Sequence, residues 1–246
     1  MYKQKMISYG HPNIYSKLPG GIRREGRTAS CILVFGHAGR NGGKKLNGCF
    51  FKGMKTAREG GIISLNAETI GCGGGKFYTG FTEMPEHVPT FVSLKERYKQ
   101  TPQMVIDFIQ QIGVLKAEKK YLHFARIDRI ESLKEVEGVV FIANPDMLSG
   151  LTTWAYYDNN AEDGVVSMFG SGCSCIVTQA TIENRKGGKR TFIGFFDPSV
   201  RPYFEPDKLS YTIPMSRFRE MCGTMRQSCL FDTHAWGKIR ERMDSE

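Results

Sequence analysis

The chain has 246 residues, a net charge of +9, 40% hydrophobic residues and 24% charged ones. That length suits one large domain or two small ones, and so ordinary a composition excludes whole-chain disorder. No apolar run approaches the roughly 20 residues of a membrane span, and the start, MYKQKMISYGHPN, lacks the apolar core of a secretion signal, so a cytoplasmic protein is expected.

The hexamer from Ser30 to Phe35, SCILVF, reads as a strand leading into the loop GHAGRNGGKK. Residues 47–59 read as a helix stopped by Gly60-Gly61. A short strand, Ile62 to Leu65, precedes the stretch GCGGGKFYTG, read as a loop. Thr101-Pro102 is a helix start: the Thr hydroxyl can accept an orphan N–H, and Pro loses no needed bond at the first helical position. Met104, Val105, Phe108, Ile109 and Ile112 then share one helical face, with Gly113 as the stop.

The run from Gly138 to Ala143, GVVFIA, is the strongest buried-strand signal. Asn144-Pro145 repeats the cap-plus-proline logic for a helix through about Tyr156. Residues 165–169 read as a strand, and the run from Cys173 to Lys186 as a helix closed by Gly187-Gly188. Further strands are expected over residues 191–196 and 209–213, followed by an amphipathic helical end, with residues 226–246 as a helical C-terminal extension. Interleaved strands and helices place the fold in the α/β or α+β class, with a mixed β-sheet flanked by helices in a single domain spanning 1–246.

Charge and glycine are both concentrated early. Residues 1–60 hold 12 Lys or Arg against two acids, and 17 of the 28 glycines fall in residues 1–80. A basic, glycine-rich segment can surround an anion, since glycine exposes backbone N–H groups. It could also neutralise nucleic-acid phosphates, but no recognition motif or base-stacking pattern accompanies it, so nucleic acid is the lesser reading.

The phosphate-loop patterns fail. AGRNGGKK has Ala38 and Lys45 where a Walker loop needs Gly and a hydroxyl, and Lys76 occupies the last glycine position of a G-x-G-x-x-G pattern. Seven cysteines, an odd number, argue against a disulfide scaffold. Cys31, Cys222 and Cys229 have core-like surroundings. Cys72 sits among four glycines, and Cys173 and Cys175 sit at a helix start that favours a thiolate. Cys173 and Cys175 are two apart, a spacing that points them to different helical faces. A metal site would therefore draw on distant pieces: Cys49, Cys72, Cys173 and Cys175 as thiolate ligands for zinc or an iron–sulfur cluster. His37, in the glycine loop, is the histidine nearest these residues and reads as a surface side chain. Asp197 can cap the turn Asp197-Pro-Ser-Val-Arg201, and Arg201 can bind an acid bidentately or join an internal salt bridge.

Several elements together resemble one family. They are Lys55 to Gly61, Cys72 to Gly75 followed by Phe77 to Phe81, the strand Val139 to Pro145, the Gly172-Cys173 pair, and Asp197, Arg201 and Pro214. The chain resembles the uncharacterised archaeal conserved region family, ArCR, over residues 25–225. The resemblance implies a soluble prokaryotic protein without an assigned chemistry, and directs attention to Cys49, Cys72, Asn144, Cys173 and Arg201. Cys175 and the basic loop Arg40 to Lys45 lie outside the family's pattern.

The leading expectation is a binding or redox-related protein with one Gly/Cys-rich pocket. Gly73, Gly74, Asn144 and Arg201 would bind a small anionic ligand, and the four cysteines a metal or cluster. The alternatives are an enzyme with Cys173 as thiolate nucleophile and a basic nucleic-acid or protein interaction module.

Overall fold

The computed structural model describes residues 32–245, apart from Phe169 and Ser171. Cys31 and the basic residues before it lie outside the described residues.

Eight strands form one mixed sheet: β1 (Ile32–Ala38), β2 (Lys44–Lys45), β3 (Ile63–Leu65), β4 (Tyr121–Arg126), β5 (Gly138–Ala143), β6 (Val165–Val166), β7 (Thr191–Gly194) and β8 (Leu209–Pro214). Their order is β2-β3-β4-β1-β5-β8-β7-β6. The parallel pairs are the outermost ones, β2 with β3 and β6 with β7; the pairs between them are antiparallel. β5 and β7 run the same way with β8 inserted between them.

The central strands are covered on both faces, which is why their sequences are unbroken apolar runs rather than alternations. Every residue of β1 and of β5 is buried. Their side chains still divide by parity: Leu33, Phe35, Val140 and Ile142 enter one core, and Ile32, Val34, Val139, Phe141 and Ala143 the other.

The first core is covered by α1 (Phe50–Arg58), α2 (Gly73–Tyr78), α4 (Pro102–Ile112), and a π-helical turn over Ser174–Thr178 that continues as α6 (Gln179–Lys186). Between α2 and α4 lies α3 (Val88–Thr90), which runs on as a second π-helical turn over Phe91–Lys95. The second core is covered by α5 (Pro145–Tyr156), α7 (Met215–Thr224) and α8 (His234–Ser245). Trp236 of α8 is buried there, so the helical C-terminal extension is part of the core rather than an appendage.

The cap logic holds in detail. Thr101 accepts from the Met104 N–H at 3.2 Å and Asn144 from the Met147 N–H at 3.0 Å, each ahead of a proline. Gly113 (φ 84°) and Gly187 (φ 64°) stop α4 and α6 in conformations that glycine adopts freely. Three expectations needed correction. GCGGGKFYTG is not only a loop, because α2 forms within it. The strand expected over 165–169 reduces to Val165–Val166. Met104, placed on the apolar face, is 43% exposed. Strand β4 and the helical stretch from Val88 to Lys95 were not expected.

Candidate functional site

A cavity of about 380 Å³ opens on the first-core side of the sheet. Its walls come from the start of α1 (Cys49, Phe51), from α2 (Cys72 to Gly75, Tyr78), from the Val88–Lys95 stretch (Val88, Phe91, Val92) and from α4 (Val105, Phe108). Gly170, Cys173, Asp197 and Ser199 complete it from the other side. The walls are mostly aromatic and aliphatic, with a few polar groups converging on them. That is the composition of a small-molecule site, and the volume falls within the range of about 300–1,000 Å³ typical of one.

Both π-helical turns border this cavity. Phe91 and Val92 lie in one, and Cys173 immediately precedes the other. Such turns widen a helix locally and concentrate at functional sites. Phe195 adds a strained position next to them. It is 1% exposed with φ 74°, in the left-handed region that bulky residues avoid. Strain of this kind costs about 1–3 kcal/mol and persists where packing over-determines it. Here Phe195 stacks on Phe204 at 4.3 Å and meets Phe51 edge-on at 5.7 Å. Two residues later the chain delivers Asp197, 5% exposed, to the cavity wall. Asp197 caps its turn as expected, accepting the Ser199 N–H at 2.9 Å.

Three of the four candidate thiols reach this cavity. Cys49 stands at the N-cap of α1, and its proximity pushes the Tyr203 phenol up. Cys72 is the N-cap of α2, where its sulfur accepts the Gly75 N–H at 3.2 Å. A Cβ on Gly75 would stand 2.9 Å from that sulfur, so glycine is needed for this cap. Burial pushes the Cys72 thiol up, against the lowering pull of the Gly75 amide.

Cys173 is 6% exposed, and burial, then the neighbouring Cys72 and Cys49, pushes its thiol well up. Burial thus works against the helix-end activation expected for Cys173. Cys175 turns away. Its thiol faces the Met168 carbonyl and the Gln179 side chain, and burial raises it to about 11. Residues two apart on a helical turn cannot both face one cavity. Among the described residues no group of three or more His, Cys, Asp or Glu is arranged to hold a metal ion.

The remaining candidates divide. Gly73 and Gly74 line the cavity, and nothing stands within 4 Å of a Cβ built on Gly74. Asn144 does not line it; its side-chain oxygen is used by the α5 cap. Arg201 does not line it either. Its guanidinium donates to the carbonyls of Phe195, Lys208, Glu205 and Pro206, holding the loop that carries Asp197 rather than awaiting an acid.

Sequence reasoning passed over several polar residues that line the cavity, His87, Glu96, Tyr98 and Lys99 among them. Tyr98 lines it, and burial, then the Asp197 charge, pushes its phenol up to about 12. Lys99 lines it with its ammonium 5.3 Å from the Phe108 ring centroid. His37 is also misjudged as a surface residue: it is 3% exposed. Its Nδ1 lies 2.6 Å from a Glu137 carboxylate oxygen and its Nε2 2.9 Å from the Thr79 carbonyl. It thereby ties the end of α2 to the sheet. Glu137 in turn sits below the usual carboxylate range: burial would raise it, but the hydrogen bond and charge of His37 outweigh that.

A signal for the three cavity thiols exists in the sequence. Cys49, Cys72 and Cys173 each follow a glycine, and Cys31, Cys175, Cys222 and Cys229 do not. The glycines permit close approach. A Cβ on Gly172 would stand 2.6 Å from Phe51, and one on Gly71 would stand 3.3 Å from the Cα of Gly48.

The family model described as uncharacterised ArCR matches residues 29–224. The chain belongs to this family. The ArCR region contains Cys49, Cys72, Cys173, Asp197 and the whole cavity, and it ends with α7, before the Trp236 helix that closes the second core. No curated protein and no solved structure matches the chain. No helix of the described residues is long and apolar enough to cross a membrane.

Proposed function

We propose that this chain binds a small organic molecule with a largely apolar body in the cavity between α1, α2, the Val88–Lys95 stretch and α4. The observation that carries this reading is the cavity itself: aromatic and aliphatic walls with a short set of convergent polar groups. Phe51, Val105 and Phe108 would pack the body of the ligand. Asp197 and Glu96 supply two carboxylates against the one ammonium of Lys99, and Cys49 and Cys72 supply weak donors. The carboxylates of Asp197 and Glu96 oppose a further negative charge nearby, so a neutral, cationic or zwitterionic head fits better than the anion suggested by the glycine loops.

The neutral fluorescent probe N-phenyl-1-naphthylamine tests this. The expected outcome is saturable binding that falls at least tenfold in Gly74→Leu, which places a side chain where nothing stands within 4 Å of the Cβ position. The same change removes a glycine from a helix, a gain of up to about 1 kcal/mol, so lost binding would not come from lost folding. Absent binding, or binding that Gly74→Leu leaves unchanged, would overturn the assignment.

A further inference from the structure

Two glycine–cysteine pairs lie side by side at the cavity rim. The Gly48 N–H donates to the Thr69 carbonyl at 2.9 Å, and the Gly71 N–H donates to the Gly48 carbonyl at 2.8 Å. These bonds form a parallel bridge between Gly48 and Ile70. Cys49 is the next residue along one chain, and Cys72 lies just beyond the bridge on the other. Each then starts a helix, α1 and α2. The bridge holds the two glycine–cysteine backbones in contact, a Cβ on Gly71 standing 3.3 Å from the Gly48 Cα, and both cysteines line the same cavity. A disulfide spans Cα separations of about 4.4–6.8 Å.

The other described thiols are placed differently. Cys173 is buried behind this pair, Cys175 faces the Met168 carbonyl, and Cys222 and Cys229 pack against the second core across the sheet. Cys72 is exposed and Cys49 half-buried, so one thiol of the pair meets solvent and the other stands behind it.

We infer that Cys49 and Cys72 form a reversible disulfide at the cavity rim, with a small-molecule disulfide as the oxidising co-reactant. Cys72 loses its proton to solvent and attacks one sulfur of the small disulfide. That S–S bond breaks, one thiolate leaves and is protonated, and a mixed disulfide remains on Cys72. Cys49 is deprotonated in turn and attacks the Cys72 sulfur, expelling the second thiol. Two electrons and two protons pass from the cysteine pair to the small disulfide, which becomes two thiols. A thiol in excess reverses the sequence. The bridge withdraws both sulfhydryl donors from the cavity and ties the starts of α1 and α2 together, so ligand access becomes dependent on redox state.

The test uses the native full chain with oxidised glutathione. Free thiols are then alkylated in denaturant, and intact mass and peptide mapping are read. The expected product has lost two hydrogens and yields a Cys49–Cys72 linked peptide, reversed by excess reduced glutathione. Cys49→Ser should stop at a glutathione adduct on Cys72. Cys72→Ser, which keeps an oxygen to accept the Gly75 N–H, should form neither product. A native wild-type chain that accumulates only the Cys72 adduct, that stays reduced, or that links another pair would overturn the inference. The readout is a covalent mass, independent of probe binding, so this inference and the ligand reading can fail separately.

Discussion

Replacing His37 by Ala should cost about 3–5 kcal/mol and loosen α2, whose end it holds, although His37 does not line the cavity. The estimate comes from what the ring touches. Its 2.6 Å contact with Glu137 is a charge-assisted hydrogen bond, worth about 1.5–3 kcal/mol. Its loss also leaves the Thr79 carbonyl without the partner at 2.9 Å, and an unsatisfied buried acceptor costs about 1–3 kcal/mol. The edge-on contact with Phe81 at 5.7 Å adds about 0.5–1.5 kcal/mol. Glu137 keeps the His37 backbone N–H at 3.1 Å and has Arg185 at 3.8 Å, which holds the sum toward the lower half of these ranges.

The loss should also depend on pH in a defined direction. Glu137 is held below its ordinary value in the folded chain. Its contribution is therefore complete above the unfolded value of about 4.3 and disappears as pH falls through the lower folded value. The stability gap between wild type and His37→Ala should narrow as the carboxylate is protonated, because a neutral Glu137 no longer needs the imidazole. Urea unfolding at pH 7 and at pH 4 or lower measures the gap. Alkylation of Cys72 in native conditions measures the loosening of α2 and should become several-fold faster. A cost below about 1 kcal/mol, or a gap that does not change with pH, would refute the clamp.

Two further outcomes follow from the site. In the native chain Cys173 should be alkylated by iodoacetamide at least tenfold more slowly than Cys72 near neutral pH, and at a similar rate in urea. Fast native labelling would favour Cys173 as a thiolate nucleophile. Arg201→Lys should destabilise the chain about as much as Arg201→Ala, by about 2–4 kcal/mol, since one ammonium cannot reach carbonyls on both sides of the 195–208 loop as a planar fork does. Thermal unfolding reads it, and recovery of wild-type stability in the Lys variant would show that only charge matters there.

Much of the fold was legible because its strongest elements obey local rules. GVVFIA is the strongest buried-strand signal and forms β5, and Thr101-Pro102 and Asn144-Pro145 mark helix starts by chemistry that operates within three residues. Elements decided at a distance were not legible. α2 contains three glycines in six residues and forms because Cys72 caps it and His37, from β1, holds its end. β4 mixes buried and half-buried residues without clean alternation, and it is specified by its pairing with β1 and β3. The thiols follow the same division. Cys49, Cys72 and Cys173 were legible as candidates. Cys175 does not line the cavity with them, because helical phase separates residues two apart.

Among the described residues, glycine leads to the cavity and the early basic residues do not. The basic excess of the first 60 residues suggested an anion-facing region, yet the basic loop Arg40 to Lys45 does not line the cavity. Lys44 and Lys45 instead form the exposed edge strand β2, where lysines discourage edge-to-edge pairing. The glycines do reach the site, and for steric rather than electrostatic reasons. Gly48 and Gly71 let two chains touch, Gly75 leaves room for the Cys72 sulfur, and Gly172 seats the Cys173 turn on Phe51. A Cβ at any of these positions meets another atom within about 3.7 Å, whereas Gly74 beside them has open space. Because Gly74 both lines the cavity and has open space at its Cβ, it is the position where a larger side chain can test binding without disturbing the fold.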